Sequence, residues 1–271
     1  MKKKPREELV LKYGFIGCGN MGGAIAKALA KSTTDFAVTD RSGRAIALAA
    51  EIPCGYLSTM EIVQQCDRIF LGVKPHMMKD VLAPLQTVLA ERKPLLITMA
   101  AGLTTAQIAE FAGCEIPVIR IMPNTPVAIG KGVIQYCCND LVSREMLGDF
   151  LYDMRFSGML DCLEERLIDA GSAISGSGPA YVYLFIEALA DGAVACGIPR
   201  AKALEYAAAT VIGAGEMVLA TKEHPGALKD AVCSPGGSTI AGIRALENHG
   251  FRAAAMEAVI ATCNRNKELG K

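Results

Sequence analysis

The chain has 271 residues, 51% of them hydrophobic. At about 150 residues per domain this length predicts about two domains, each with enough chain to bury a core. Lys+Arg and Asp+Glu both number 28, so the formal net charge is zero, and the basic excess usual in proteins that hold nucleic acid or an anionic membrane is missing.

At the start, Lys2, Lys3, Lys4 and Arg6 form a run of like charge. No apolar segment follows it, so it reads as a solvated terminus rather than a targeting signal. The strongest candidate for a membrane span, Tyr181 to Ile198, is interrupted by Glu187 and Asp191, and no uninterrupted apolar stretch is expected to reach spanning length. The ten cysteines are scattered, Cys137 and Cys138 are adjacent, and no Cys-x-x-Cys pair has zinc spacing. With no signal peptide, the expectation is free thiols in a reducing, cytoplasmic compartment. His76, His224 and His249 lie far apart, and nothing in their spacing argues for a metal.

Residues 9–16 are apolar and predict a strand. Gly17-Cys18-Gly19-Asn20-Met21-Gly22 follows directly, and Ala24 to Ala30 reads as a small-residue helix. Strand, glycine loop and helix in this order suit a dinucleotide-binding fold. Gly17 allows the tight turn, Gly19 lets the backbone approach a pyrophosphate, and Gly22 permits close packing. The free N–H groups at the helix start face the anion. A second strand, Phe36 to Thr39, ends at Asp40. That position suits an acid that binds the adenosine ribose, or one that caps the next helix. Asp40 favours NADH, whereas Arg41, Ser42 and Arg44 could bind the extra phosphate of NADPH, so the residues leave the coenzyme open.

The alternation continues with a strand at Arg68–Val73, broken by Lys74-Pro75, and a helix expected from about His76 to Ala90. Strands follow at Leu95–Met99 and Val118–Met122. Val73-Lys74-Pro75, Ala100-Ala101-Gly102 and Pro123-Asn124-Thr125-Pro126 sit at strand ends, where a parallel sheet places its ligands. They are expected to line the nicotinamide site, although Pro, Gly and Asn also make ordinary turns.

After about residue 163 the strand pattern stops. Glu164 to Ala173 is helical, and Ser175 to Pro179 is a tight break before a helix from Ala180 to Ala195. Gly197 closes that helix and Pro199 opens another to about Thr221, rich in Ala and Gly. A helix so apolar must be covered, either by the first domain or by a second copy in a homodimer. Cys233-Ser234-Pro235-Gly236-Gly237-Ser238-Thr239 then leads into a helix at about Ile240 to Leu246. Glycines, hydroxyls and a helix start can cradle a substrate carboxylate. They also suit a plain loop in which Ser or Thr caps the helix. The last helix, Phe251 to Leu269, is amphipathic, with Arg265, Lys267 and Glu268 read as solvated. The division is therefore 1–163 for the coenzyme and 164–271 for substrate and dimerisation.

In order, G-x-G-x-M-G, V-K-P-H, A-A-G-L-T, M-P-N-T-P, S-G-S-G-P-A-Y, G-x-P-R and S-P-G-G-S-T resemble the pyrroline-5-carboxylate reductases, from about Gly14 to Leu269. The resemblance implies an α/β chain with an N-terminal Rossmann domain and an all-α C-terminal dimerisation domain, with decamers in some members. It implies hydride transfer from NADPH or NADH to 1-pyrroline-5-carboxylate, giving proline. It also implies that Ser234, Gly236, Gly237 and Ser238 hold the substrate carboxylate, with Thr239 placed to hydrogen-bond the ring nitrogen. Many members carry an Asn-Arg or Ser-based sequence after the second strand, where this chain has Thr39-Asp40-Arg41-Ser42. The rival readings are a 3-hydroxyacid dehydrogenase and a dinucleotide-sensing binding protein without turnover. For the former, Val182 and Ile186 stand where such enzymes carry Lys and Asn.

Overall fold

The computed structural model describes residues 11–269. The run Lys2–Arg6 and residues 9–10 of the expected first strand lie outside the described residues, as does the side chain of Lys267. The chain forms two compact units. One runs to Ser177 and takes in the chain again from Cys263; the other is Gly178–Thr262.

The first unit is built on an 8-stranded sheet. Its strands are β1 (Leu11–Ile16), β2 (Phe36–Thr39), β3 (Gly55–Tyr56), β4 (Cys66–Leu71), β5 (Leu95–Thr98), β6 (Val118–Met122), β7 (Gly132–Cys138) and β8 (Gly158–Cys162). They lie in the order β3-β2-β1-β4-β5-β6-β7-β8. The β6–β7 pair is antiparallel; β1 pairs in parallel with both β2 and β4. Strands covered on both faces read as unbroken apolar runs. In β4, Phe70 joins the core on one face with Tyr13, Phe15 and Phe36. Ile69 and Leu71 join the other with Ile62, Leu82 and Leu96. The Phe15 and Phe70 rings stack at 4.5 Å.

The helices of this unit are α1 (Asn20–Leu29), α2 (Arg44–Glu51), α3 (Thr59–Gln65), α4 (Met78–Leu82), α5 (Gln86–Arg92), α6 (Thr105–Ala112), α7 (Arg144–Asp153) and α8 (Glu165–Ser175). The single helix expected over 76–90 is interrupted: α4 and α5 are separated by a 3-10 turn at Ala83–Leu85. Pro84 causes this, because it has no N–H to donate and its ring crowds the preceding turn. The strand expected to reach Val73 ends at Leu71, and Gly72 takes part in the glycine turn instead. The antiparallel β7 and the edge strand β8 are additions to the sequence reading.

The second unit holds α9 (Gly178–Ala195), α10 (Arg200–Thr221), α11 (Pro225–Ala231), α12 (Ser238–Asn248) and the first part of α13 (Phe251–Leu269). Ala190 of α9 packs with Ala203 and Ala207 of α10, flanked by Ile186, Ala193 and Val194; small side chains let the two helices approach closely. Tyr181 ties α9 to α13, its hydroxyl donating to Ala258 O at 3.3 Å. By length and composition α10 could cross a membrane, although Glu205 and Glu216 interrupt its apolar run, in keeping with the expectation that no uninterrupted apolar stretch reaches that length. Its charges, Arg200, Lys202, Glu205 and Glu216, stand near its two ends and leave an uncharged middle. Ala203 and Ala207 are its buried residues, while Leu204, Ile212, Met217 and Leu219 are exposed. Exposed apolar surface on this scale marks a contact face.

Candidate active site

The glycine turn joins β1 to α1. Gly17 takes a φ of +100°, which side chains other than glycine rarely adopt. Its N–H donates to Thr39 O at 2.8 Å and Gly72 N–H donates to Ile16 O at 2.8 Å, locking the turn between β2 and β4. A Cβ on Gly22 would lie 2.2 Å from Gly17 O, and one on Gly72 2.3 Å from the same atom. Gly72 was not singled out in the sequence; its position one residue past a buried strand was the available signal. Gly19 faces open space, with nothing within 4 Å of an added Cβ. As N-cap of α1 it offers no side-chain bond, so the first amides of the helix stay available to an anion. Cys18 beside them is buried, and burial pushes its thiol up to about 12, so it is no thiolate nucleophile near neutral pH.

Gly17, Gly19, Asp40, Arg41, Ser42, Val73 and Lys74 line one cavity of about 590 Å³. Asn20 lines a shallower neighbouring hollow with Gly19 and Arg44, and Arg44 Nη1 lies 3.4 Å from Asn20 Oδ1. Met21 packs into the core and Gly22 is buried. Pro75, Ala101 and Gly102 line a second cavity of about 500 Å³ in the same unit, with His76, Gln107, Met122, Asp169 and Ser172.

Not every expected residue turns a side chain to these cavities. Ala100 is buried, its N–H donating to Thr98 Oγ1 at 3.3 Å. Asn124 is buried as well; its Nδ2 donates to Ser175 O at 2.9 Å and its Oδ1 accepts from Val133 N at 2.8 Å. It braces the loop after β6 from within.

Sequence reasoning also missed Arg120 of β6, whose side chain is 2% exposed. Its Nη2 pairs with Asp169 at 2.6 Å and its Nη1 lies 3.7 Å from Glu165. Glu165 in turn accepts from Thr105 N at 2.7 Å and Thr105 Oγ1 at 3.1 Å. A buried cation needs such partners, and they fix the start of α6 and the face of α8 at the second cavity. A lone Arg inside the apolar strand VIRIM was the signal.

In the second unit, Ser234-Pro235-Gly236-Gly237 forms a turn onto α12. Gly236 has φ of +70°, and Gly237 N–H donates to Ser234 O at 3.0 Å. Gly237 is the N-cap and no side chain caps this helix, so the cap role considered for Ser or Thr is not taken up. Ser234, Ser238 and Thr239 are exposed, and the amides opening α12 stay free for an anion. Among the described residues no group of three or more His, Cys, Asp or Glu could hold a metal.

Residues 165–269 match the family model described as pyrroline-5-carboxylate reductase dimerisation. Residues 12–102 match that described as NADP oxidoreductase, coenzyme F420-dependent. The curated pyrroline-5-carboxylate reductase of Escherichia coli is 42% identical over 266 residues, 96% of this chain and 98% of its own. The chain belongs to the pyrroline-5-carboxylate reductase family. Among solved structures, a Plasmodium falciparum pyrroline carboxylate reductase with NADP bound matches with a TM-score of 0.86 at 33% identity, covering 96% of this chain and 98% of that one. A Mycobacterium tuberculosis 3-hydroxyisobutyrate dehydrogenase reaches a TM-score of 0.51 at 12% identity over 66% of this chain, a likeness of fold alone. The exposed apolar side of α10 falls within the dimerisation match of the reductase family.

Proposed function

We infer that this chain is an NAD(P)H-dependent oxidoreductase that reduces 1-pyrroline-5-carboxylate to L-proline, the last step of proline biosynthesis. The observation that carries this is 42% identity with a pyrroline-5-carboxylate reductase along nearly the whole of both chains. The glycine turn fits a dinucleotide on its own geometry: a left-handed Gly17, open space at Gly19 and unpaired helix-start amides beside one large cavity. The readings as a hydroxyacid dehydrogenase or a sensor without turnover are not favoured.

When bound, NAD(P)H supplies the hydride. In this proposal Gly17, Gly19 and Gly22 shape the turn while the backbone of Asn20 and Met21 holds the pyrophosphate. Asp40, Arg41 and Ser42 surround the adenosine ribose. Val73, Lys74, Pro75, Ala101 and Gly102 frame the nicotinamide end, and Ala100 and Asn124 support those loops from inside. Ser234, Gly236, Gly237 and Ser238 hold the substrate carboxylate through backbone amides, without an arginine. The Thr239 hydroxyl hydrogen-bonds the ring nitrogen. An imine protonated there is already electrophilic, so the residues need to align rather than to supply a strong acid. Alignment is worth up to about 7–11 kcal/mol in well-oriented systems.

The proposal divides the chain at 163/164 into a coenzyme domain and a substrate and dimerisation domain. It takes a homodimer as the basic assembly, with a decamer as the higher form. It places the enzyme in the cytoplasm, with no nucleic-acid or membrane partner. Incubation with 1-pyrroline-5-carboxylate should oxidise the coenzyme and form proline one for one; oxidation of neither NADH nor NADPH would overturn the reading.

A further inference from the structure

The loop that carries Ala101 and Gly102 to the second cavity is fastened at both ends. At its start, Ala100 N–H donates to Thr98 Oγ1 at 3.3 Å and Met99 N–H donates to Leu71 O at 3.4 Å. At its close, Thr105 opens α6 and is held by one carboxylate: Glu165 accepts its N–H at 2.7 Å and its hydroxyl at 3.1 Å. Between these points Gly102 turns through a φ of +75°. Thr104 and Gln107 form a capping box, which takes up two further amides of the helix start. Glu165 takes the amide between them, and its negative charge stands at the favourable end of the helix dipole. The start of α6 is therefore closed by its own neighbours, whereas α1 and α12 begin without a side-chain cap.

Stability is a weak reason for this arrangement. Glu165 faces Arg120 at 3.7 Å, and Arg120 lies beside Thr98 in the sheet with its Nε buried and without a hydrogen-bond partner. Taking such a cation out of water costs about as much as its ion pairs return, and apolar residues of similar size would serve the strand as well. Nor does α8 depend on Glu165 for its seat. Ile168 is fully buried with Met122 and Cys137, Arg120 reaches Asp169 at 2.6 Å, and Ser175 O accepts from Asn124 Nδ2 at 2.9 Å. What Glu165 adds is the link from this seated helix to Thr105, and so to the loop in front of α6.

We infer that Glu165 is a positioning residue for hydride transfer, holding the Ala101-Gly102 loop in place through Thr105 while Arg120 holds Glu165; this rests on the coenzyme reading above, which puts that loop at the nicotinamide end. Thr105→Val tests it with little disturbance, because valine keeps the shape and the N–H and removes only the hydroxyl. With whichever of NADH and NADPH the unaltered enzyme oxidises, kcat should fall about tenfold, the step that one hydrogen bond to a charged group supplies. Glu165→Gln sets an amide against Arg120 and Thr105, and kcat should fall about 10- to 100-fold, the scale of a loop misplaced by about an ångström. In both variants the coenzyme KM should stay within about twofold, since the pyrophosphate turn is untouched. Thr105→Ser, which keeps the hydroxyl, should bring kcat back to within about threefold of the unaltered enzyme. Each rate is read at a temperature where the melting curve shows that variant folded.

Folded Thr105→Val and Glu165→Gln variants with unaltered kcat overturn the inference, because the bonds then serve only to hold α6. So does a Thr105→Ser variant as slow as Thr105→Val, or a coenzyme KM that rises while kcat holds, which would make the loop a binding element and not a positioning one. Oxidation of neither coenzyme by the unaltered enzyme removes the coenzyme reading beneath it, an outcome separate from variants that match an active parent.

Discussion

The two glycine turns, one in each unit, look alike as sequence and differ in what requires their glycines. At Gly17 and Gly22 of the first turn, and at Gly72 beside it, the fold itself demands glycine, since a side chain would run into backbone at 2.7, 2.2 and 2.3 Å, and only Gly19 of that turn stands open. In the Ser234–Thr239 turn the demand is weaker. Gly236 needs its positive φ, yet an added Cβ there meets nothing within 4 Å, and one on Gly237 meets first the movable Ser234 hydroxyl at 2.3 Å. The first turn is held in shape by packing before any ligand arrives. The second keeps an open backbone at a helix start with little packing inside this chain, the place where the proposed function seats the substrate carboxylate.

Gly22→Ala should break this contrast most strongly. The atom it meets is a backbone carbonyl, so the turn must shift, at a cost of about 1–3 kcal/mol. The melting temperature and the coenzyme affinity should fall together, and an unchanged melting curve would remove the asymmetry. Thr239→Ala comes next and has the opposite character. Loss of a hydrogen bond to a charged group, about 1.5–3 kcal/mol, corresponds to about 10- to 100-fold in kcat/KM, with the melting curve unmoved. Steady-state kinetics with the melt on the same sample checks both halves.

Alkaline titration sharpens the comparison further. Burial pushes the thiols of Cys18, Cys66 and Cys137, all in the first unit, up to about 12. In an unfolded chain they ionise near 9.0. Their folded-state values are raised, so this contribution to stability is complete below pH 9 and is lost as pH rises from there toward 12. Melting curves between pH 8 and 11 should move down; a flat profile would show that these thiols are already exposed to water. Gly237→Ala should also change stability little, within about 0.5 kcal/mol, while the KM for the imine substrate rises. If stability falls and KM does not, the second turn is a packing feature like the first.

Much of the first unit is legible in the residues for a physical reason. β2 and β6 lie where the apolar runs place them, β1 ends at the expected Ile16 and β5 stops one residue short of Met99, because strands covered on both faces have no polar side to disguise them. The edge strand β8 is hidden because its residues are exposed or at most half-buried, giving neither an apolar run nor a clean alternation. Pro84 was visible but outweighed by the helical pattern around it. Within the candidate site, glycine positions can be read from spacing. Gly72 cannot, because its role depends on β4 lying beside β1. The contacts of Arg120 depend on α8 returning to the end of β6. Asp40 is the clearest limit: its identity suggests a ribose ligand, and only its bond to Ser42 shows which way the carboxylate turns.

The central claim is that the open turn before α12 grips a carboxylate through backbone amides, and a substrate without that group tests it most directly. The ring imine 1-pyrroline, which has no carboxylate, can be compared with 1-pyrroline-5-carboxylate at one pH and coenzyme concentration. Loss of two charge-assisted hydrogen bonds should lower kcat/KM for 1-pyrroline by about 100-fold or more. Equal kcat/KM for the two imines would contradict the account.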